Sequence, residues 1–310
     1  MGYNMDMKTL VYGSLNIDIT YFVSHIVTPG ETLSSNSRAI RAGGKGANQA
    51  AALALAGSVC YLAGKIAQKD YWILDLLNKC GVNTDFVLKS GDATGEAIIQ
   101  IANNGQNSII LSPGANRELH RIEIDAVLEH FEPGDLLVLQ NETNHVNSLI
   151  LAAKNKGMKV VFNPSPIADN IYSLPLSLVD IFFVNEIEAS ALASYKGDLK
   201  TTLNKLSALY PNAEIIMTAG SKGSYYKYKE TEAYCGINPV KVVDTTGAGD
   251  TFTGYFLTSR YVYNYSVEDS LALASKASSI AISRIGSMEA IPKSNEVFHS
   301  HEERPLQEDH

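Results

Sequence analysis

Short apolar segments and longer helical patterns alternate along most of the chain. The short segments are rich in β-branched or aromatic residues, as in buried strands, whereas the longer ones repeat apolar residues at the spacing of a helix. Predicted strands lie at 9–12, 58–64, 136–139, 159–163, 181–184 and 214–218, and predicted helices at 46–56, 71–79, 146–155, 199–210, 251–261 and 267–283. This alternation predicts an α/β fold with a doubly wound, mostly parallel sheet and helices on both faces.

Two regions depart from this alternation. The region 17–40 contains extended runs without a helical pattern, and 96–102 and 108–112 are predicted strands joined by Asn-Asn-Gly-Gln-Asn, which favours a β-hairpin. We therefore predict a single domain over residues 1–310, with a small β-sheet lid formed by inserted segments at about 17–40 and 94–112. Two strand pairs are not stable by themselves, so this sheet is expected to pack on the main domain or on another subunit.

Composition and charge narrow the functional class. The chain has 310 residues, 45% of them hydrophobic, and a formal net charge of −8; no run of Lys and Arg indicates a nucleic-acid-binding surface. The longest uncharged stretch, 46–64, is interrupted by polar residues and glycines, which favours a buried helix and a strand over a membrane span. The three cysteines, Cys60, Cys80 and Cys235, are too far apart for a metal pair. Since no signal-peptide pattern is seen, we expect a cytoplasmic protein without nucleic-acid or membrane partners, whose polar tail 294–310 frays.

The segment 244–252, Asp-Thr-Thr-Gly-Ala-Gly-Asp-Thr-Phe, carries the clearest chemical signal. Small residues before a helix let a phosphate approach the backbone, and the free amides at a helix start favour an anion. Asp250 would repel a phosphate but could accept a proton from an attacking hydroxyl. An acidic, glycine-rich helix start without a catalytic role is the alternative interpretation. Neither a GxxxxGK[ST] loop nor a GxGxxG motif after a strand is present, which disfavours a P-loop enzyme or a dinucleotide-dependent dehydrogenase.

Two polar groups near the N-terminus are candidates for binding a polyol. The segment 43–49, Gly-Gly-Lys-Gly-Ala-Asn-Gln, places Lys45 and Asn48 on one face of a predicted helix. Asn16 and Asp18 follow the first strand and point the same way if the chain stays extended. Each group has an ordinary structural explanation, a glycine-rich turn or a polar strand end.

Together these segments resemble the ribokinase (PfkB) family of sugar kinases. The two family signatures match residues 42–50 and 244–252, and the similarity extends over roughly residues 8–292. Further matching segments lie between them, at 28–32, 93–95, 113–116, 163–166, 184–188 and 218–223.

The resemblance implies that the chain transfers a phosphoryl group from ATP to the primary hydroxyl of a sugar, with D-ribose as the leading substrate. Asp250 would take the proton of that hydroxyl. The amides of Gly247, Ala248 and Gly249 would form the anion hole for the transferred phosphoryl group. Sugar hydroxyls would be held by Asn16, Asp18, Gly44, Lys45, Asn48, Glu142 and Asp250.

The same resemblance implies sites for the nucleotide and for two cations. The nucleotide would be bound by Asn185, Thr218, Ala219, Gly220, Ser221, Lys222, Gly223, Gly249 and Ser275. Mg²⁺ would be held mostly through water by Glu188, in an Asn-x-x-Glu element. A monovalent cation, with K⁺ as a candidate activator, would be held by Asp244 and Thr246 and by backbone carbonyls of Ala281, Arg284 and Gly286.

The chain departs from the family pattern at two positions. Ala290 stands where ribokinases usually carry a serine near the cation, which leaves K⁺ activation open. Glu96 replaces a small apolar residue at the start of the hairpin, and its effect on the sugar pocket is also open.

A homodimer through the lid is expected because the lid sheet has exposed edges. A related kinase for a nucleoside, fructose or another sugar is the alternative activity, and a non-catalytic sugar- or nucleotide-binding regulator is the alternative of another class.

Overall fold

The computed structural model describes residue 4 and residues 6–298. The strands are β1 (Lys8–Tyr12), β2 (Asn16–Val23), β3 (Ser37–Gly43), β4 (Val59–Ala67), β5 (Asn83–Gly91), β6 (Gly95–Ala102), β7 (Asn107–Ser112), β8 (Leu136–Gln140), β9 (Lys159–Asn163), β10 (Ile181–Asn185), β11 (Glu214–Thr218), β12 (Ser224–Tyr228) and β13 (Thr231–Cys235). The helices are α1 (Lys45–Ala56), α2 (Trp72–Lys79), α3 (Arg121–Leu128), α4 (Val146–Asn155), α5 (Glu186–Leu192), α6 (Leu199–Leu209), α7 (Ala248–Leu257), α8 (Val267–Ile282) and α9 (Ser294–Val297). No helix within these described ranges is both long and apolar enough to cross a membrane.

The main sheet has nine strands in the order β13-β12-β11-β10-β9-β8-β1-β4-β5. Its seven strands from β11 to β5 run parallel, and β12 and β13 form an antiparallel edge. The central strands are buried on both faces, which explains their continuous apolar sequence rather than an alternating one. The predicted doubly wound, mostly parallel sheet is confirmed.

A second sheet is formed by four strands in the order β3-β2-β6-β7. β2 pairs antiparallel with β3 and parallel with β6, and β6 pairs antiparallel with β7. The strands come from the two regions that the sequence marked as insertions, because β2 and β3 lie between β1 and α1, whereas β6 and β7 follow β5.

Several elements differ from the sequence prediction. α7 begins at Ala248, three residues before the predicted start, and a π-helical turn, Thr258–Val262, follows it. The prediction also missed β5, α3, α5, β12 and β13. The expected fraying of the tail is wrong at its beginning, where Ser294–Val297 forms α9 and Val297 accepts a hydrogen bond from the Lys276 ammonium (2.8 Å). Residues 299–310 lie outside the described part of the chain.

Close packing of α1 on α7 brings together two helices that are about 200 residues apart in the sequence. A Cβ atom at Gly254 of α7 would lie 2.5 Å from the Cβ atom of Ala52 of α1, so these helices approach at a distance that only glycine permits there. Both helices start at the same end of this contact, and their first turns therefore face each other.

Candidate active site

Site residues gather at the carboxyl ends of the parallel strands. Gln140, Asn163, Asn185 and Thr218 are the last residues of β8, β9, β10 and β11, and the segment 13–16 follows β1. In doubly wound sheets the crevice at these ends is the usual ligand site, at the point where strand order reverses. Here the order reverses at β1, which is flanked by β4 and β8.

Two adjoining cavities open at this edge. The smaller, of about 240 Å³, contains Lys45 and Asp250, and the larger, of about 490 Å³, has mainly apolar walls. Both are lined by Thr218, Thr245, Ala248 and Gly249, so they meet at the start of α7.

Asp250 is buried in the first turn of α7. Its Oδ1 atom accepts a hydrogen bond from Gln49 (2.9 Å), and its Oδ2 atom accepts one from Asn48 (3.2 Å). Burial raises the pKa of Asp250 above its ordinary value, although the Lys45 ammonium and the two amides oppose this shift. The arrangement provides a fixed carboxylate with an increased affinity for protons.

A cluster of acidic side chains surrounds Lys45. Burial, followed by the charges of Glu142 and Glu289, raises the pKa of Asp18 to about 7. Burial lowers the pKa of Lys45, but the nearby carboxylates, Asp250 foremost, outweigh it and leave this pKa raised. The Lys45 ammonium is therefore charged at neutral pH and stabilises the anions around it.

The remaining predicted sugar-site residues lie next to these charges. Asp18 packs on Gly43, where a Cβ atom would lie 2.2 Å from the Asp18 carboxylate. Glu142 accepts hydrogen bonds from the Ser14 hydroxyl and from the backbone N–H of Lys45 (3.3 Å). Gly44 is the residue before α1, and a Cβ atom there would lie 2.7 Å from the backbone oxygen of Ser14.

Asn16 is fixed by a residue that the sequence analysis did not single out. Its side-chain oxygen accepts a hydrogen bond from Asn116 (2.7 Å), and Asn116 also accepts one from the backbone N–H of Leu15 (3.0 Å). Other site residues that the analysis missed are Ser14, Gln49, Gln140, Ser165 and Thr245. Gln49, Ser165 and Thr245 lie in segments quoted for the resemblance, so their position could have identified them, whereas Ser14 and Gln140 lie outside these segments.

The start of α7 has the geometry of an anion site. Gly247 precedes the helix with φ of 75°, a left-handed conformation that favours glycine. The first-turn amides of a helix lack intrahelical acceptors and carry the positive end of its dipole. They lie where the two cavities meet, so an anion shared by the two cavities would contact them.

The larger cavity contains most of the predicted nucleotide residues. Its lining includes Thr218, Gly220, Ser221, Gly223, Gly249 and Ser275. Three predicted residues do not line it: Asn185 lines the smaller cavity, Ala219 is buried, and the Lys222 ammonium pairs with Glu186 (2.9 Å) on α5. The segment from Ile237 to Val242 supplies an apolar wall that no motif had marked.

Asn185 and Glu188 form a capping box at the start of α5. Asn185 precedes the helix as its N-cap, and Glu188 lies in its first turn, so their side chains contact each other. Glu188 accepts hydrogen bonds from the backbone and side-chain N–H groups of Asn185 (2.9 Å each) and from Asn163 (3.3 Å). A carboxylate with these donors fits a hydrated Mg²⁺, which keeps several waters and binds mainly to substrate phosphates.

The predicted monovalent-cation residues also converge. Asp244 accepts hydrogen bonds from the N–H and hydroxyl of Thr246 (2.9 and 2.7 Å) and from the Gly286 N–H (3.1 Å). Burial acts to raise the pKa of Asp244, but these hydrogen bonds outweigh it and the pKa is lowered. A fixed anion beside the segment 281–286, with its backbone carbonyls, fits a bound monovalent cation. Ala290 is fully buried near this segment and offers no side-chain ligand.

Comparison with known proteins agrees with this geometry. Residues 6–294 match the family described as pfkB family carbohydrate kinase. The ribokinase of Haemophilus influenzae is 33% identical over 305 residues, covering 94% of this chain and 97% of that protein. The crystal structure of ribokinase from Cryptococcus neoformans var. grubii in complex with ADP is similar with a TM-score of 0.84, at 34% identity, over 95% of this chain and 99% of that one. The Arabidopsis thaliana ribokinase complexed with ribose and ATP has a TM-score of 0.81, at 29% identity, over 96% and 98%. The chain belongs to the pfkB family of carbohydrate kinases.

Proposed function

We propose that this protein catalyses ATP + D-ribose → ADP + D-ribose 5-phosphate. The observation that carries the proposal is the position of Asp250, a buried carboxylate in the polar cavity that directly follows Gly249, which lines both the polar and the apolar cavity. Relatives named ribokinase match nearly the whole chain, and one similar structure holds ribose and ATP together. The cavity with Lys45 and Asp250 takes the reacting end of the sugar, and the cavity with Ser275 takes the nucleotide.

In this reaction the primary hydroxyl oxygen of the sugar attacks the γ-phosphorus of ATP. A new O–P bond forms, the bond to the ADP oxygen breaks, and Asp250 accepts the hydroxyl proton. The amides of Gly247, Ala248 and Gly249 stabilise the charge on the transferred phosphoryl oxygens. Asn16, Asp18, Asn48 and Glu142 orient the sugar, so that one hydroxyl lies in line with the phosphate.

Two cations belong to the proposal. Glu188 and Asn185 would hold the water ligands of a Mg²⁺ ion bound with ATP, and this ion would neutralise phosphate charge. Asp244, Thr246 and the carbonyls of the segment 281–286 would hold a monovalent cation, which would support the turn that carries the anion hole.

A panel assay of ADP release tests this proposal. We expect the highest kcat/KM with D-ribose among ribose, fructose and nucleosides, and an increase when K⁺ replaces a larger organic cation at the same ionic strength. A preference for a nucleoside or fructose would move the substrate assignment within the family. Measurable ligand binding without turnover of any substrate would instead support a regulator.

We also propose that the four-stranded sheet acts as a lid and pairs with a second copy of the chain. The exposed apolar side chains on this sheet include Ile40, Ile98, Ile109, Ile110 and Leu111. β3 and β7 are its edge strands. Such a surface favours association, since apolar patches and open edges on one sheet invite a partner.

Neighbouring substitutions on β7 test the dimer and identify its covered face. Ile109 and Ile110 point to opposite faces of the sheet, because side chains alternate along a strand. We expect Ile109→Glu or Ile110→Glu, whichever faces the partner, to shift the protein from dimer to monomer in analytical ultracentrifugation. Ile122→Glu on α3, where the side chain is 79% exposed, is the matched control. A wild-type monomer, or a dimer that survives both β7 changes, contradicts the proposal.

A further inference from the structure

A chain of two glutamine amides leads to Asp250 from the centre of the sheet. Gln140, the last residue of β8, donates a hydrogen bond from Nε2 to Oε1 of Gln49 (2.7 Å). Gln49, on α1, donates from Nε2 to Oδ1 of Asp250 (2.9 Å). All three side chains are buried, with Gln49 and Gln140 each 1% exposed. Water therefore cannot easily replace either amide.

The direction of this chain follows from the chemistry of its members. An ionised carboxylate only accepts hydrogen bonds, whereas an amide donates from nitrogen and accepts at oxygen. Gln49 must turn its NH₂ group toward Asp250, so its oxygen faces Gln140, which in turn must donate. The order of donors is thus set by Asp250 being charged.

Gln140, at the far end of this hydrogen-bonded chain, leaves one of its polar atoms unpaired. The Gln140 Oε1 atom is buried and finds no hydrogen-bonding partner among the protein groups of the described residues. It lies against Gly13, where a Cβ atom would come within 2.2 Å of it. A buried acceptor without a partner is destabilising, because its lost hydrogen bonds to water are not replaced. Because the arrangement leaves this acceptor unpaired, we interpret it as serving the position of Asp250 rather than the stability of the fold.

We propose that Gln49 and Gln140 are positioning residues that keep Asp250 ionised and aimed at the sugar hydroxyl, with Gln140 acting through Gln49. This inference rests on Asp250 being the catalytic base, as proposed above. Burial favours the neutral acid at Asp250, and the Lys45 ammonium on α1 opposes this effect. Asp18 on β2 is the carboxylate that interacts with the charge of Asp250, whereas Glu142 and Glu188 act on Lys45. Lys45 provides the attraction, and the amide chain provides a directed hydrogen bond.

The test is the pH profile of kcat/KM for the sugar in Gln49→Met, Gln140→Met and the double variant. Methionine keeps the length of the side chain and removes the amide. We expect the acidic limb to move up by about one to two pH units in Gln49→Met, the size of a hydrogen bond to a charged group. Gln140→Met should move it in the same direction by less, and the double variant should match Gln49→Met alone.

Comparing the shift of the acidic limb in the double variant with the shifts in the single variants tests whether Gln140 acts through Gln49 or independently. A full additional shift from Gln140→Met in the Gln49→Met background would show that Gln140 does not act through Gln49. Unshifted limbs in both single variants, with wild-type ADP affinity and melting temperature, would overturn the proposal. The exposed Gln68→Met is the matched control and should keep the wild-type profile.

Two further variants keep the outcome decisive. If Gln49→Met does not fold, Gln49→Glu retains the shape of the side chain and places a second carboxyl beside Asp250. This change should move the acidic limb of the kcat/KM profile to a still higher pH. Asp250→Asn tests the role of Asp250 as the base separately from the positioning role of the two glutamines. Retained activity in Asp250→Asn would show that Asp250 is not the catalytic base. An inactive Asp250→Asn, together with unshifted acidic limbs in the Gln49 and Gln140 variants, would refute only the proposed role of the two glutamines.

Discussion

Asp250→Asn is expected to lower kcat by at least about 10²-fold, in the range for loss of a general base. Asparagine has the same shape and can still contact the Gln49 and Asn48 side chains that hold Asp250. It cannot accept the hydroxyl proton at neutral pH. ADP release at saturating ATP and sugar measures the loss, and calorimetric titration of ADP tests whether the nucleotide cavity remains intact.

The matched control for this variant is Asp75→Asn, an exposed position on α2. It makes the same chemical change away from both cavities and should leave kcat unaltered. An Asp250→Asn enzyme with near-wild-type turnover would mean that another group takes the proton. Because burial raises the pKa of Asp250 in the wild type, activity should also fall as the pH decreases and this carboxylate becomes protonated.

Gly249→Leu should reduce kcat/KM for ATP by about 10²-fold or more, the size of effect seen on losing an oxyanion-type contact. No heavy atom lies within 4 Å of the position that a Cβ atom would take at Gly249. The residue lines both cavities, so the leucine side chain would enter the space assigned to the transferred phosphoryl group. The variant should therefore fold normally and fail in catalysis.

Gly247 provides the contrast to Gly249. It has a positive φ, and a Cβ atom there would lie 3.2 Å from Ser287, so Gly247→Ala should lower the melting temperature as well as the rate. Gly249→Ala, with one added methyl group, should have a smaller effect than Gly249→Leu. Normal turnover in Gly249→Leu would place the phosphoryl group elsewhere.

The sequence by itself was sufficient for the α/β class, for most of the central strands and helices, and for the family resemblance. Central strands such as β8 are short apolar runs because both faces are buried, and this pattern is local. The segment 244–252, which we propose to be catalytic, and the glycine-rich segment 43–49 are also contiguous, so each could be compared with a family signature. Elements that escaped prediction, such as β12 and the edge strand β13, are partly exposed and carry a weaker pattern.

Only the tertiary structure decided which groups meet. Asn48 and Asp250 are 202 residues apart and touch because α1 and α7 pack closely where Gly254 faces Ala52. The amide chain from Gln140 through Gln49 exists because β8 ends beside the first turns of both helices, and no local pattern encodes that contact. The shifted pKa values of Asp18 and Asp250 have the same origin, since burial and the mutual approach of distant charges arise only when the chain is folded.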